Sequence, residues 1–304
     1  MNQPTLKPIR KEGFKGKIPE PIMEWGYKWK FKLLNIIHHK KKLVKKEDLV
    51  FWWRNKNNFG DWITPYIYKK ITGKNAVFQK PSNKSNQTVL MAIGSILQHT
   101  SSNAIVWGSG IMKRKVFFQK PNKTLCVRGP ITRERFMEMG YDCPAVYGDP
   151  AILLPKFYSI QATAGNLIGI IPHNSDYELV LKTFPFEPFK VIDLRQDVEV
   201  VLEEIGSCSA IISSSLHGII VPHAYGIPAL WVMFSDAVPG DNVKFYDYYQ
   251  SVGVFNLKPK MLNELPKEDE LLREVVLDFP QPKLSIEEMA DNVLEIFKNY
   301  ISSR

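Results

Sequence analysis

"AIISSSLHGIIVPHAYGIPALWV", residues 210–232, decides the fold. An apolar run, Ala210–Ile212, meets three serines, Leu216, His217 and Gly218. A second apolar run carries Pro222 and His223, and Gly226-Ile227-Pro228 breaks the chain before a third, Ala229–Val232. Apolar runs of about four to eight residues bounded by turn signals fit buried strands. The stretch reads as strand, polar loop, buried helix, turn and strand. Strands joined by a helix lie parallel. Ligands of open parallel sheets bind beyond the carboxyl ends of the strands. The loop Ser213–Gly218 is therefore the first place to look for chemistry. His217, flanked by Ser and Gly, is expected at the start of the helix, facing a cleft. His223 falls within the helix and reads as a structural residue with a buried partner.

Outward from this unit, the same alternation runs through most of the chain. "NLIGIIPH", "FKVIDLR" and "PALWVMF" read as strands, and "YELVLKTF" and "DVEVVLEEIGSC" as helices. An earlier series holds the strands "DLVFWW", "QTVLMA", "AIVW" and "KTLCV". Its helix "WITPYIYKKITG" stops at Gly73, and another follows Gly129-Pro130 and stops at Gly140. The expected fold class is α/β, with two doubly wound domains and a cleft between them. The expected boundaries are residues 48–160 and 161–283. Residues 284–304 form an amphipathic C-terminal helix that packs back across the domains. Ser285 and Glu288 give it a capping box.

The net charge of +9 is uneven. Residues 1–48 hold 13 Lys/Arg against 5 Asp/Glu, a balance of +8, and the remainder holds 27 against 26. The basic character belongs to an N-terminal arm, residues 1–47, in which aromatic residues and lysines interleave. Two readings stand side by side: a solvated basic segment, and one in which residues 22–46 lie on an anionic membrane surface. No nucleic-acid module accompanies the lysines, so nucleic acid is not expected as a partner. No apolar run reaches the roughly 18–20 residues of a membrane-spanning helix. Three scattered cysteines without a C-x-x-C pair exclude a disulfide framework and a zinc ribbon. They fit a reducing, cytoplasmic setting. No metal site is expected.

Three further loops follow strands. "NNFGD", residues 57–61, opens a helix. Gly60 there lets backbone N–H groups approach a ligand. Asp61 fits two readings, an N-cap or a carboxylate facing the cleft. "GSG", residues 108–110, is too short for a dinucleotide fingerprint. Arg128 follows the strand "TLCV" and suits an anion, or else a surface ion pair with Glu134 or Asp142. Lys244, after "PGDNV", is either an exposed lysine or a phosphate partner.

In this order, the stretches "NFGDWITPYIYKKITG", "AIGSIL", "VWGSG", "VRGP", "YGDPAILLP", "AIISSSLHGIIVPHAYGIPALWV" and "GDNVKFYDYYQSVG" resemble the polysaccharide pyruvyl transferase family. They span about residues 50–255. The resemblance implies two Rossmann-like domains in a GT-B-like arrangement. It implies pyruvyl transfer from phosphoenolpyruvate to a sugar, giving a cyclic ketal and phosphate, with no cofactor. It implies a donor site of His217, Arg128, Lys244, Ser214, Ser215, Leu216 and Gly218, and an acceptor site of Asn58, Gly60 and Asp61. His217 and Asp61 are the implied acid–base pair. Many relatives carry Arg where this chain has Ser215, and Arg195 or Arg133 is the expected substitute charge. The acceptor is expected to be a hexose such as galactose, on a cell-surface polysaccharide or its polyprenyl-diphosphate-linked precursor at the inner membrane face. Two rivals share the fold: a nucleotide-sugar glycosyltransferase and a non-catalytic polysaccharide- or membrane-binding protein.

Overall fold

The computed structural model describes residues 48–54, 57–161, 167–184, 189–262 and 281–304. The arm, residues 1–47, lies outside them. The described residues belong to one compact unit that begins at Lys46.

Two parallel sheets of five strands form the frame. The first contains β1 (Leu49–Phe51), β2 (Val77–Phe78), β3 (Val89–Met91), β4 (Ala104–Trp107) and β5 (Lys123–Cys126), in the order β2-β1-β3-β4-β5. The second contains β6 (Ile168–Ile171), β7 (Phe189–Val191), β8 (Ala210–Ser213), β9 (Ala229–Met233) and β10 (Lys260–Met261), in the order β7-β6-β8-β9-β10. Counted within its own sheet, each has the order 2-1-3-4-5. The direction of winding reverses between β1 and β3 and again between β6 and β8. Such switch points leave a crevice at the carboxyl ends of the strands, where ligands of doubly wound sheets bind. The two sheets therefore offer two crevices, one lined by the loops after β1 and β3, the other by those after β6 and β8.

The helices are α1 (Phe59–Thr72), α2 (Pro130–Glu138), α3 (Tyr177–Thr183), α4 (Val198–Gly206), α5 (His217–Ala224), α6 (Val243–Ser251) and α7 (Ile286–Ser302). α1 starts a turn earlier than its apolar pattern predicts, because Asn58 caps it: Oδ1 accepts from Gly60 N at 3.1 Å. It ends at Gly73, whose φ of 72° is the left-handed geometry of a C-cap. Sequence reading passed over the two short edge strands β2 and β10. It also passed over a 3-10 segment, Pro150–Lys156, whose cap is Asp149. Two prolines and no polar alternation hide that segment from a period search.

One apolar core runs through both sheets. Val50, Trp107 and Ile152 belong to it from the first series, and Ile171, Ile219 and Trp231 from the second. α7 closes the chain on the first series. Its Phe297 ring stacks on Trp107 at 4.0 Å, and its Val293 carbonyl accepts from Trp107 Nε1 at 2.9 Å. Ser285 Oγ accepts from Glu288 N at 3.2 Å, one of the two bonds of the capping-box pattern.

Candidate active site

The loop after β8 makes its tight turn with its own hydroxyls. Ser213 Oγ donates to the Ile171 carbonyl at 2.7 Å and accepts from Ser215 N at 2.9 Å. Ser214 Oγ donates to the buried Asp176 at 2.8 Å and accepts from His173 N at 2.9 Å. The other Asp176 oxygen is taken by Ser235. Leu216 sits in the core. Gly218 is required by packing: a Cβ there would lie 2.2 Å from Ser213 Oγ. Of the residues expected to bind donor through this loop, Ser214, Leu216 and Gly218 thus hold the loop in shape. What the loop presents is backbone. The N–H groups of Leu216, His217 and Gly218, at the start of α5, take no acceptor from the described residues. A helix start with unclaimed N–H groups attracts an anion.

His217 opens α5 and is almost buried. Its Nε2 lies 3.6 Å from Asp149 Oδ2, and neither atom has a hydrogen-bond partner among the described residues. The ring rests on Gly60 at the start of α1, where a Cβ would come within 2.0 Å of Nδ1. That close approach is why residue 60 has no side chain. Asp149 was within "YGDPAILLP" but had no role assigned from sequence, because its partner is 68 positions away.

The N-terminus of α1 is not the open anion site that "NNFGD" suggests. Phe59 N donates to the Leu194 carbonyl at 2.7 Å, Gly60 N to Asn58 Oδ1, and Asp61 N to the Asn58 carbonyl. Asp61 is freed by this arrangement, since Asn58 does the capping. Its carboxylate makes no hydrogen bond or ion pair with another described residue. Oδ1 lies beside Gly94, the left-handed turn (φ 108°) that ends β3. Loss of water without replacement partners raises the pKa of Asp61 to about 7.

Arg128 departs from its surface reading. It is 0% exposed, so it makes no surface ion pair with Glu134 or Asp142, and protein groups engage its guanidinium. Nε donates to Asp247 Oδ2 at 2.9 Å, Nη1 to Ser95 Oγ at 2.7 Å, and Nη2 to the Ile111 carbonyl at 2.9 Å. Gly110 makes room for the guanidinium and Gly129 for Asp247. Asp247, on α6, also accepts from Thr132 N and Oγ1 and so caps α2 from outside. Glu134, the surface partner weighed for Arg128, pairs with Arg114 instead.

Lys244 is buried in the first turn of α6 and makes no hydrogen bond or ion pair with another described residue. Its Nζ lies over the Phe245 ring, 5.4 Å from the centroid. Burial, and then the positive charge of Arg128, lower its pKa to about 8. A cation at a helix N-terminus also opposes the helix dipole. Three unfavourable terms converge on one ammonium, and an anion beside it would relieve all of them.

The two arginines expected to replace the missing cation are both engaged by protein groups. Arg195 is held bidentately by Asp193 and lies over the Tyr177 ring at 4.2 Å. Arg133 donates to the Cys143 carbonyl and lines a surface groove of about 590 Å³ with Lys120, Lys123 and Asp142. That groove sits at the amino end of β5, away from both crevices. His223 is structural, as expected. Nε2–H donates to the Ala229 carbonyl at 3.2 Å, so Nδ1 accepts from Tyr248 Oη at 2.9 Å. Burial lowers its pKa to about 4, which keeps it neutral.

The three cysteines are free and buried. Among the described residues no helix is long and apolar enough to cross a membrane, and no group of three His, Cys, Asp or Glu could hold a metal ion.

Two similar proteins frame this geometry. An uncharacterized protein of Acanthamoeba polyphaga mimivirus is 27% identical over 266 residues, covering 85% of this chain and 92% of the relative. The succinoglycan biosynthesis protein ExoV of Rhizobium meliloti (strain 1021) is 24% identical over 220 residues, 67% of this chain and 64% of ExoV. The polysaccharide pyruvyl transferase family matches residues 31–236, more than half of the chain and all of both crevices up to β9. The chain belongs to the polysaccharide pyruvyl transferase family.

Proposed function

We propose that the protein transfers the pyruvyl group of phosphoenolpyruvate to two hydroxyls of a hexose, such as galactose, in a cell-surface polysaccharide or its polyprenyl-linked precursor. The two sheets are then the cores of two Rossmann-like domains in a GT-B-like arrangement, acceptor side first. The observation that carries this reading is the pairing of unspent cationic capacity with unspent proton capacity. Lys244 and the free N–H groups of α5 supply the first, and His217 and Asp61 the second.

The donor carries a phosphate and a carboxylate, and Lys244 with the start of α5 answers such a charge. Arg128 acts on the donor only through its field, because protein groups engage it. The acceptor lies along Asn58, Gly60 and Asp61. One sugar hydroxyl adds to C2 of the enol while the methylene carbon gains a proton. The C2–O bond to phosphate then breaks, and a second hydroxyl closes the ketal. Two hydroxyl protons are released; one ends on the methyl group and one leaves with phosphate. A carboxyl that titrates near neutrality, like Asp61, can take and return a proton at working pH. His217, whose ring rests on Gly60 of the same loop as Asp61, is the second proton-carrying group of the proposed step. The basic arm, through residues 22–46, brings the enzyme to the anionic inner face of the membrane where a lipid-linked acceptor resides.

The test is phosphate release from phosphoenolpyruvate, with and without a panel of lipid-linked and synthetic galactosides and mannosides. Acceptor-dependent release that His217→Ala abolishes is the expected result. Failure of phosphoenolpyruvate both to turn over and to raise the melting temperature, with stabilisation by a nucleotide sugar instead, would transfer the protein to the glycosyltransferases.

A further inference from the structure

The contact between Asp149 and His217 goes beyond the residues assigned above. Asp149 is fully buried and directs its two oxygens differently. Oδ1 accepts from Ala151 N at 3.0 Å and caps the 3-10 segment Pro150–Lys156. Oδ2 has no such partner and faces His217 Nε2 at 3.6 Å. That distance is longer than a hydrogen bond, yet both atoms are enclosed and unclaimed. A carboxylate oxygen and a ring nitrogen both left unpaired in the interior would lose their hydration with nothing in its place. The lowest-energy arrangement puts a proton between them. A carboxylate can only accept, so that proton belongs to Nε2. Nδ1, on the other side of the ring, is the atom nearest the place of the missing Gly60 side chain.

We infer that Asp149 is a positioning residue that holds His217 as the Nε2–H tautomer, leaving Nδ1, beside the Gly60 loop, as the nitrogen that exchanges protons with substrate. The second half of this statement rests on the pyruvyl transfer reading; the tautomer does not.

The cap makes the inference sharp. Asn is as good a cap as Asp. In Asp149→Asn the Ala151 N–H keeps the amide oxygen, so the NH2 group must face His217. An NH2 group can only donate. It therefore demands a lone pair on Nε2 and drives the proton to Nδ1. The substitution preserves the fold and reverses the ring.

The experiment is a long-range proton–nitrogen correlation spectrum of the full chain labelled with 15N-histidine, without substrate, at about pH 9, above the ordinary imidazole range. The chain has six histidines, and His217→Gln identifies the resonance. The expected result is a protonated Nε2 in the wild type and a protonated Nδ1 in Asp149→Asn. A wild-type ring protonated at Nδ1 overturns the inference without any variant. So does an Asp149→Asn ring that keeps its proton on Nε2. In the phosphate-release assay, Asp149→Asn is expected to lose about a hundredfold or more, the range of a misdirected acid–base group. Asp149→Glu, which keeps an acceptor-only side chain, is expected to recover part of it. If phosphoenolpyruvate proves not to be the donor, the spectra still decide the tautomer.

Discussion

Removing the charge of Asp61 is expected to stabilise the protein, and to do so in a pH-dependent way. The native carboxyl titrates near pH 7 instead of 3.8, because it has lost water and gained no partner. Between these two values the native state binds a proton that the unfolded chain releases, so stability falls as pH rises through this window. A displacement of about 3 units corresponds to roughly 4 kcal/mol, of which nearly all is lost by pH 8 and almost none at pH 4. Asn has no charge to bury. Urea unfolding of wild type and Asp61→Asn at about pH 5, 6, 7 and 8 isolates the effect, because His223, whose lowered pKa pulls the other way, is common to both. The variant is expected to gain about 1–2 kcal/mol at pH 5 and about 3–4 kcal/mol at pH 8, while losing acceptor-dependent turnover. A difference that is the same at pH 5 and pH 8 would refute the idea that the site stores a desolvated carboxyl.

Other substitutions probe the remaining parts. Lys244→Met is expected to stabilise the free protein by about 3 kcal/mol at pH 7, since the ammonium there is held about 2.5 units below its ordinary value. The gain shrinks above about pH 8, and KM for phosphoenolpyruvate rises about tenfold or more, measured by chemical unfolding and phosphate release. Gly60→Ala places a methyl group against His217 Nδ1, so turnover is expected to collapse while overpacking costs about 1–3 kcal/mol, checked by kinetics beside circular dichroism. Deletion of residues 1–47 is expected to abolish co-sedimentation with anionic vesicles; equal binding by both chains would remove the membrane role of the arm.

The parts of the fold that could be read from sequence were those with a local signal. Apolar runs broken by Gly and Pro located the long strands, and Ser285 with Glu288 located the start of α7. α1 was misplaced by a turn because Phe59 and Gly60 look like loop, and the Asn58 cap together with the tertiary bond from Phe59 N to the Leu194 carbonyl holds them in a helix. At the site, His217 and Asp61 were visible as polar residues among glycines and serines. The role of Arg128 was not, since its partner Asp247 is 119 positions away and a buried pair leaves no periodicity. Asp149 was invisible for the same reason: the same Asp-Pro start that caps a 3-10 segment also aims its second oxygen across the sheets.

α6 has one more consequence. It follows β9 of the second sheet, and there its Phe245 ring stacks on Trp231 at 4.3 Å and its Tyr248 hydroxyl bonds His223. Through Asp247 the same helix is bound to Arg128 and Thr132 of the first series. It is a wedge glued on both faces. Swinging the halves apart would break either a buried charge pair, at about 3–5 kcal/mol, or a buried aromatic face of similar worth. A clam-shell motion is therefore the expensive one for this chain. Its X-ray scattering radius is therefore expected to stay the same when the proposed donor is added, and a large contraction would refute the wedge. On the proposed function, the resting contour of the crevice, not a closing movement, is the thing to redesign for a different sugar.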